Sequence, residues 1–161
     1  MNSGVAYFAC GCFWGTEYYF SKCKGVKKCT VGYMGGSVEK PTYQQVCTKK
    51  TGHLEAIEVV YDPSEIDYEH LVKYFFEIHD FTQSNGQGPD IGPQYLSAIF
   101  YQNENESNVA QQVIKSLQEK GYKVATSLKP FAPFYKAEDY HQKYYQNKGS
   151  EPYCHFYKKI F

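Results

Sequence analysis

The sequence contains no arginine; all 17 basic residues are lysine, and 17 Asp+Glu bring the formal net charge to +0. A neutral chain without a guanidinium fork for bidentate phosphate contacts is poorly suited to nucleic acid as its main partner. No apolar run approaches the roughly 18 residues needed to cross a bilayer. The opening Met1-Asn2-Ser3-Gly4-Val5-Ala6-Tyr7 has no basic stretch ahead of an apolar one. Neither a membrane span nor a secretory signal is therefore expected, and the default setting is cytoplasmic. Cys10, Cys12, Cys23, Cys29, Cys47 and Cys154 include no C-x-x-C pair. In a reducing compartment they read as thiols rather than a disulfide framework, and no metal site is expected from their spacing. Tryptophan occurs once, at Trp14.

What is present suits one domain. The chain has 161 residues, 42% of them hydrophobic, enough to bury a core of its own. Aromatics reach 18%, with 17 Tyr, which suits an aromatic-lined pocket but equally a compositional bias. Residues 4–10 form an apolar run bounded by glycine, read as a buried strand, followed by a helix at about 14–24 that stops at Gly25. Strands follow near 26–34 and 53–61, separated by a polar, irregular segment at 37–50. Tyr68, Leu71, Val72, Phe75 and Phe76 make the stripe of a helix at 67–79 docked on a sheet. A long loop, 80–93, leads to a strand at 94–101. A helix at 105–120 follows, burying Val109, Val113, Ile114 and Leu117, then a short strand at 122–128 and a helix near 137–147. The order β-α-β-β-α-β predicts an α+β fold: a ferredoxin-like split β-α-β sheet with helices packed on it and extra C-terminal elements. The single domain spans 1–161, with 147–161 as a C-terminal tail free to move.

Three groups of residues could do chemistry. Cys12, in Gly11-Cys12-Phe13-Trp14-Gly15, lies where the first strand hands over to the first helix. Unpaired N–H groups and the dipole at a helix N-terminus favour thiolate, which at an unperturbed pKa is only ~3% of the thiol at pH 7. The same five residues could equally be a packed strand-to-helix turn. In the strand that follows Thr51-Gly52, Glu55 shares a face with His53, Ile57, Val59 and Tyr61, and Glu58 lies on the other face with Leu54, Ala56 and Val60. Either carboxyl, set among apolar neighbours, would keep its proton to higher pH, and alternation does not choose between them. Tyr43 in one loop and Asp90 and Tyr95 in another could orient a polar substrate group. His79-Asp80 and His141 leave a Cys-His hydrolase open, and the aromatic residues leave open a cage for methylated ligands.

Five motifs then stand in one order: Gly-Cys-Phe-Trp-Gly at 11–15, Gly-Tyr-Met-Gly-Gly at 32–36, Pro-Thr-Tyr at 41–43, Thr-Gly-His-Leu-Glu-Ala at 51–56 and Asp-Ile-Gly-Pro-Gln-Tyr at 90–95. Together with Pro-Phe-Tyr-Lys-Ala-Glu-Asp-Tyr-His-Gln at 133–142, this pattern resembles peptide methionine sulfoxide reductase A over roughly 4–147. The resemblance implies reduction of the S epimer of methionine sulfoxide, free or in peptides and oxidised proteins, as protein repair after oxidative stress. It implies Cys12 as nucleophile, Glu55 as acid, Tyr43 and Tyr95 as oxygen-binding hydroxyls, Asp90 as a positioning carboxylate, and Phe13 and Trp14 as the methyl pocket.

It further implies a Cys12 sulfenic acid, resolved by Cys154 or by an external thiol, and no bound cofactor. Thioredoxin, glutaredoxin or a small thiol would be the reductant. Cys10 is too near Cys12 for a relaxed disulfide, Cys23 and Cys29 read as core thiols, and Cys47 as structural. Where relatives often carry Thr and Arg around the Gln-Tyr, this chain has Pro93 and Leu96, which suggests an altered substrate preference with the oxygen site intact.

Overall fold

The computed structural model describes residues 3–150, 152 and 155–161. The first apolar run is strand β1 (Gly4–Cys10), whose residues Ala6–Cys10 are buried on both faces. Such a run belongs in the middle of a sheet rather than at its edge. Its neighbours are β3 (Leu54–Tyr61) and β6 (Ser97–Tyr101), each antiparallel to it, with Phe8 opposite Ile57 on one side and Ile99 on the other. β2 (Val26–Met34) pairs with the far side of β3. β8 (Phe134–Lys136) borders β2, and β7 (Ser127–Pro130) runs parallel to β6. The six-stranded order is β7-β6-β1-β3-β2-β8. Its centre, β6-β1-β3-β2, is the split β-α-β arrangement expected, extended by one later strand at each edge. Between β3 and β6 lies a two-residue pair, β4 (Gly86–Gln87) with β5 (Asp90–Ile91).

Alternation sorts the sheet into two faces. Ala6, Phe8, Val31, Tyr33, Ile57, Val59 and Ile99 face the helices, whereas Tyr7, Ala9, Met34, Leu54, Ala56, Ala98 and Phe100 form a smaller cluster on the other face. Helix α3 (Tyr68–Glu77) buries Leu71, Val72, Phe75 and Phe76, and its N-terminus is capped by Asp67, which accepts the His70 N–H at 2.8 Å. The Phe8 ring stacks on Phe20 of α1 (Phe13–Phe20) and on Phe75, at 5.3 and 5.1 Å between centroids. Truncating Phe75 to alanine should cost about 3–5 kcal/mol, read from urea denaturation, because this junction of two helices with the sheet has little room to collapse. α4 (Glu104–Glu119) buries Val113 and Leu117, with Val109 and Ile114 half-buried.

Several elements differ from the sequence expectation. The first helix ends at Phe20 rather than 24, and Gly25, at φ +95°, then turns the chain into β2. Within 37–50, expected to be irregular, α2 (Tyr43–Cys47) forms on a capping box: Thr42 accepts the Gln45 N–H, and the Gln45 side chain accepts the Thr42 N–H. Residues 94–96 are not strand; Pro93–Tyr95 make a 3₁₀ turn after Gly92. The strand expected at 122–128 lies at 127–130, as an edge strand that tolerates Pro130. The late helix splits into a 3₁₀ turn at Asp139–His141 and α5 (Tyr144–Lys148). Residues 156–161 return to α3: the N–H groups of Ile160 and Phe161 donate to Glu77 Oε2, and that of Lys158 to the Glu77 carbonyl. No helix among the described residues is long and apolar enough to cross a membrane.

Candidate active site

Only Gly11 and Cys12 separate β1 from α1. Gly11 has φ +93°, and a Cβ there would sit 2.5 Å from the Gln87 Cβ, so glycine alone lets the 80–95 loop close over this junction. Cys12 is the residue that starts α1; its carbonyl accepts the N–H groups of Gly15 and Thr16 at 3.1 and 3.3 Å, and the residue is 6% exposed. The thiol therefore sits at the positive end of the helix.

The strand face left open by sequence is settled by position. Glu58 lies half-buried on the far face, accepting the Tyr7 hydroxyl at 2.7 Å. Glu55 faces α1, where Oε1 accepts the Phe13 N–H at 3.2 Å. Its side chain is 1% exposed, and Oε2 is buried with no hydrogen-bond partner among the described residues. Burial pushes the Glu55 carboxyl well above the ordinary range; Cys12 adds to the push, the Phe13 N–H opposes it, and Asp90 adds again. The nearness of the Cys12 sulfur therefore works, with burial, against charge on Glu55.

Tyr43, the first residue of α2, is fixed from behind by Glu138, which accepts the Tyr43 N–H at 3.0 Å on one oxygen and the Tyr33 hydroxyl at 2.9 Å on the other. Burial, followed by the nearness of Glu55, raises the phenol pKa of both Tyr43 and Tyr95 far above the ordinary value, so each hydroxyl remains a proton-bearing donor. Tyr95 also feels Cys12 and Asp90. Asp90 is carried on β5, and its loop is anchored by Gln87, whose side chain accepts the Asp80 N–H at 2.8 Å and donates to the Asp80 carbonyl at 2.9 Å. Cys12, Glu55, Tyr43, Tyr95 and Asp90 are therefore electrostatic neighbours, brought together from four segments of the chain.

An aromatic wall adjoins them. Phe13 is buried against Tyr33 and His141, at 5.6 and 5.2 Å. Trp14 is half-buried, stacks on Tyr144 at 3.8 Å and 8°, and donates Nε1–H to His141 Nδ1 at 2.9 Å. Burial lowers the His141 pKa, consistent with a neutral ring accepting that bond, so its proton is on Nε2. His141 also lies 4.4 Å from the Tyr43 ring. In the sequence His141 stands out only as a hydrolase partner, and Tyr144, Glu138 and Gln87 do not stand out at all. Glu138 and His141 fall inside the late motif, but Gln87 carried no local signal.

The hydrolase partners are committed elsewhere. His79 is buried, with one nitrogen 2.7 Å from the Phe75 carbonyl and the other 2.8 Å from Ser97 Oγ, and burial holds its pKa down at about 3. His53 pins the glycine loop, accepting the Gly36 N–H and bonding the Val38 carbonyl. Cys10 is fully buried beside Thr16 Oγ1 at 3.1 Å, Cys23 and Cys29 are half-buried, and Cys47 is exposed on α2 near the Tyr43 side chain. Cys154, expected to resolve the sulfenic acid, lies outside the described residues.

Comparison with known proteins gives one answer. The profile of the peptide methionine sulfoxide reductase family matches residues 4–160. A peptide methionine sulfoxide reductase MsrA from Sulfolobus acidocaldarius is 48% identical over 151 residues, covering 93% of this chain and 86% of that one. The crystal structure of Mxr1 from Saccharomyces cerevisiae in reduced form superposes with a TM-score of 0.92 at 36% identity, covering 98% of this chain and 93% of that one. Mxr1 in complex with Trx2 superposes with a TM-score of 0.67 at 26% identity, over 98% and 91% of the two chains.

Proposed function

The chain belongs to the peptide methionine sulfoxide reductase family and is a methionine sulfoxide reductase, an oxidoreductase; from that premise we propose that it reduces the S epimer through Cys12, with Glu55 as the acid. A sulfoxide is a poor electrophile because its oxygen must leave with its charge compensated. The carrying observation is the buried Oε2 of Glu55, without a hydrogen-bond partner among the described residues, at the helix end that begins with Cys12. A carboxyl so placed keeps its proton and can give it to oxygen as charge develops.

The Cys12 thiolate attacks the sulfoxide sulfur while Glu55 protonates the oxygen, with the Tyr43 and Tyr95 hydroxyls donating hydrogen bonds to it. Asp90 orients the polar remainder of the substrate. The protonated oxygen then passes from the substrate sulfur to Sγ as the transient Sγ–S bond breaks, so the sulfoxide is reduced by two electrons and leaves as methionine while Cys12 is oxidised to the sulfenic acid. Trp14 and Phe13 receive the methyl group, so sulfur is held at three points, which is the basis of epimer choice. The Cys154 thiol then displaces water from the sulfenic acid, forming a disulfide. A dithiol reduces that bond: the yeast relative captured with Trx2 supports thioredoxin in this role, with glutaredoxin or a small thiol able to do the same chemistry. The substrates are oxidised proteins, peptides and the free sulfoxide, and the reducing setting these thiols need is cytoplasmic.

Separated epimers with dithiothreitol test the reading. The S epimer should be reduced at least about 100-fold faster than the R epimer, equivalent to about 2.7 kcal/mol between the two transition states. Equal rates would end it. Cys154→Ser should still release one methionine per chain but lose thioredoxin-driven turnover. Mass spectrometry of wild-type protein after one equivalent of substrate should show a 12–154 bond, and a persistent Cys12 sulfenate would instead assign resolution to an external thiol.

A further inference from the structure

Glu17 is a buried carboxylate, 4% exposed, on the helix that Cys12 begins, three residues beyond Trp14 and so on the adjoining face. Burial raises its pKa to about 7, against the pull of the N–H groups of Lys143 and Tyr144. A carboxylate in that position opposes folding unless its bonds are good, and those bonds go to one place. Oε1 accepts the Lys143 N–H at 2.6 Å, and the Tyr144 N–H lies near enough to the carboxylate to help hold its pKa down.

Lys143 has φ +54°, a left-handed conformation disfavoured for a side-chain-bearing residue, and provides no side-chain cap for α5. With five residues, α5 is too short to stand without outside support. Glu17 supplies that support from another helix, pairing the Lys143 N–H at the start of α5. The next residue, Tyr144, is the one whose ring lies 3.8 Å from Trp14 and nearly parallel to it. The same segment holds the indole a second time, through His141 Nδ1.

We propose that Glu17 is a positioning residue: its carboxylate clamps Lys143 and Tyr144 to α1 and so holds the Tyr144 ring on Trp14, setting the angle of the aromatic wall. The consequence for substrate binding rests on the proposed use of Trp14 as the methyl wall. The clamp itself does not. Glu17 and Lys143 also line a cavity of about 400 Å³, with Tyr18, Cys29 and Tyr145, so the segment has space to shift once released.

Trp14 is the only tryptophan, and its emission reports the clamp directly. Glu17→Ala should shift and brighten that emission, as should Tyr144→Ala, and each should raise KM for the sulfoxide about tenfold with kcat within about twofold. This pattern is the mark of lost binding that is equal in ground and transition states. Glu17→Gln, which still offers a carbonyl oxygen to one N–H, should fall between, at about a threefold rise. In a Tyr144→Ala background either Glu17 substitution should add nothing. Unchanged emission in Glu17→Ala, or an undiminished further effect in the Tyr144→Ala background, overturns the proposal. If Glu17→Ala does not fold, Glu17→Gln decides it alone: wild-type emission and KM overturn the clamp, intermediate values support it. Trp14→Ala with unchanged KM would remove only the methyl-wall reading, leaving the emission changes to report the clamp.

Discussion

Cys12→Ser should lower methionine formation at least about 10⁴-fold with dithiothreitol as reductant, because it removes the thiol proposed to take oxygen from the substrate. A serine hydroxyl is essentially un-ionised at neutral pH, and its oxygen is a poor nucleophile toward sulfur. The fold should be untouched: Cys12 stands outside the β1 ladder and starts α1 through its backbone carbonyl, which serine retains. Trp14 emission and urea midpoint should therefore match wild type, separating lost chemistry from lost structure. Cys10→Ser is the internal control. Cys10 is fully buried on the core side of β1, bonded to Thr16, and its replacement should affect stability more than turnover. A sulfenate-trapping reagent should mark position 12 after substrate in wild type and nothing in Cys12→Ser. More than a tenth of wild-type activity in Cys12→Ser would move the nucleophile elsewhere.

The elements that were legible in the sequence are those in which side-chain period and burial agree. β1, β2 and α3 lie within one or two residues of expectation, since an apolar run bounded by glycine and an i, i+3, i+4, i+7 stripe each have one economical packing. Glu55 and Glu58 show where local pattern stops. Both faces of β3 are largely apolar because the strand is central in the sheet, and only the position of α1 over one face distinguishes the two carboxyls. The 80–95 loop could be recognised by its glycines and prolines, but not the Gln87 side chain that pins it to Asp80, a contact made by tertiary placement. The helix expected at 137–147 breaks because Glu138 is drawn to Tyr33 and Tyr43 while Glu17 draws Lys143 to α1. Helix period alone cannot register either pull. α2, by contrast, lies in a segment expected to be irregular although Thr42-x-x-Gln45 is a local capping-box signal that needs no tertiary information.

Glu55→Gln carries the second large effect, and its pH dependence identifies the acid. Loss of a positioned proton donor should reduce the rate of sulfoxide reduction by about 10²–10⁴-fold. In wild type the rate should rise with pH as Cys12 ionises and fall again as Glu55, whose pKa is raised, finally loses its proton. The variant should lose that high-pH fall while keeping the low-pH rise, in single-turnover rates measured with the S epimer. Stability should move the opposite way to activity. Glu55 is ionised in the unfolded chain above its ordinary pKa but protonated when folded, so folding takes up a proton, and the native state loses stability as pH climbs from the unfolded pKa through the raised folded one. Glutamine has no such proton to take up. Urea denaturation should accordingly show Glu55→Gln as stable as wild type near pH 4 and more stable at higher pH, with the Phe13 N–H still accepted by the carboxamide oxygen. A variant that is slower yet no less stable assigns proton donation to Glu55; near-wild-type rates across pH 6–8 would show that the proton comes from another group.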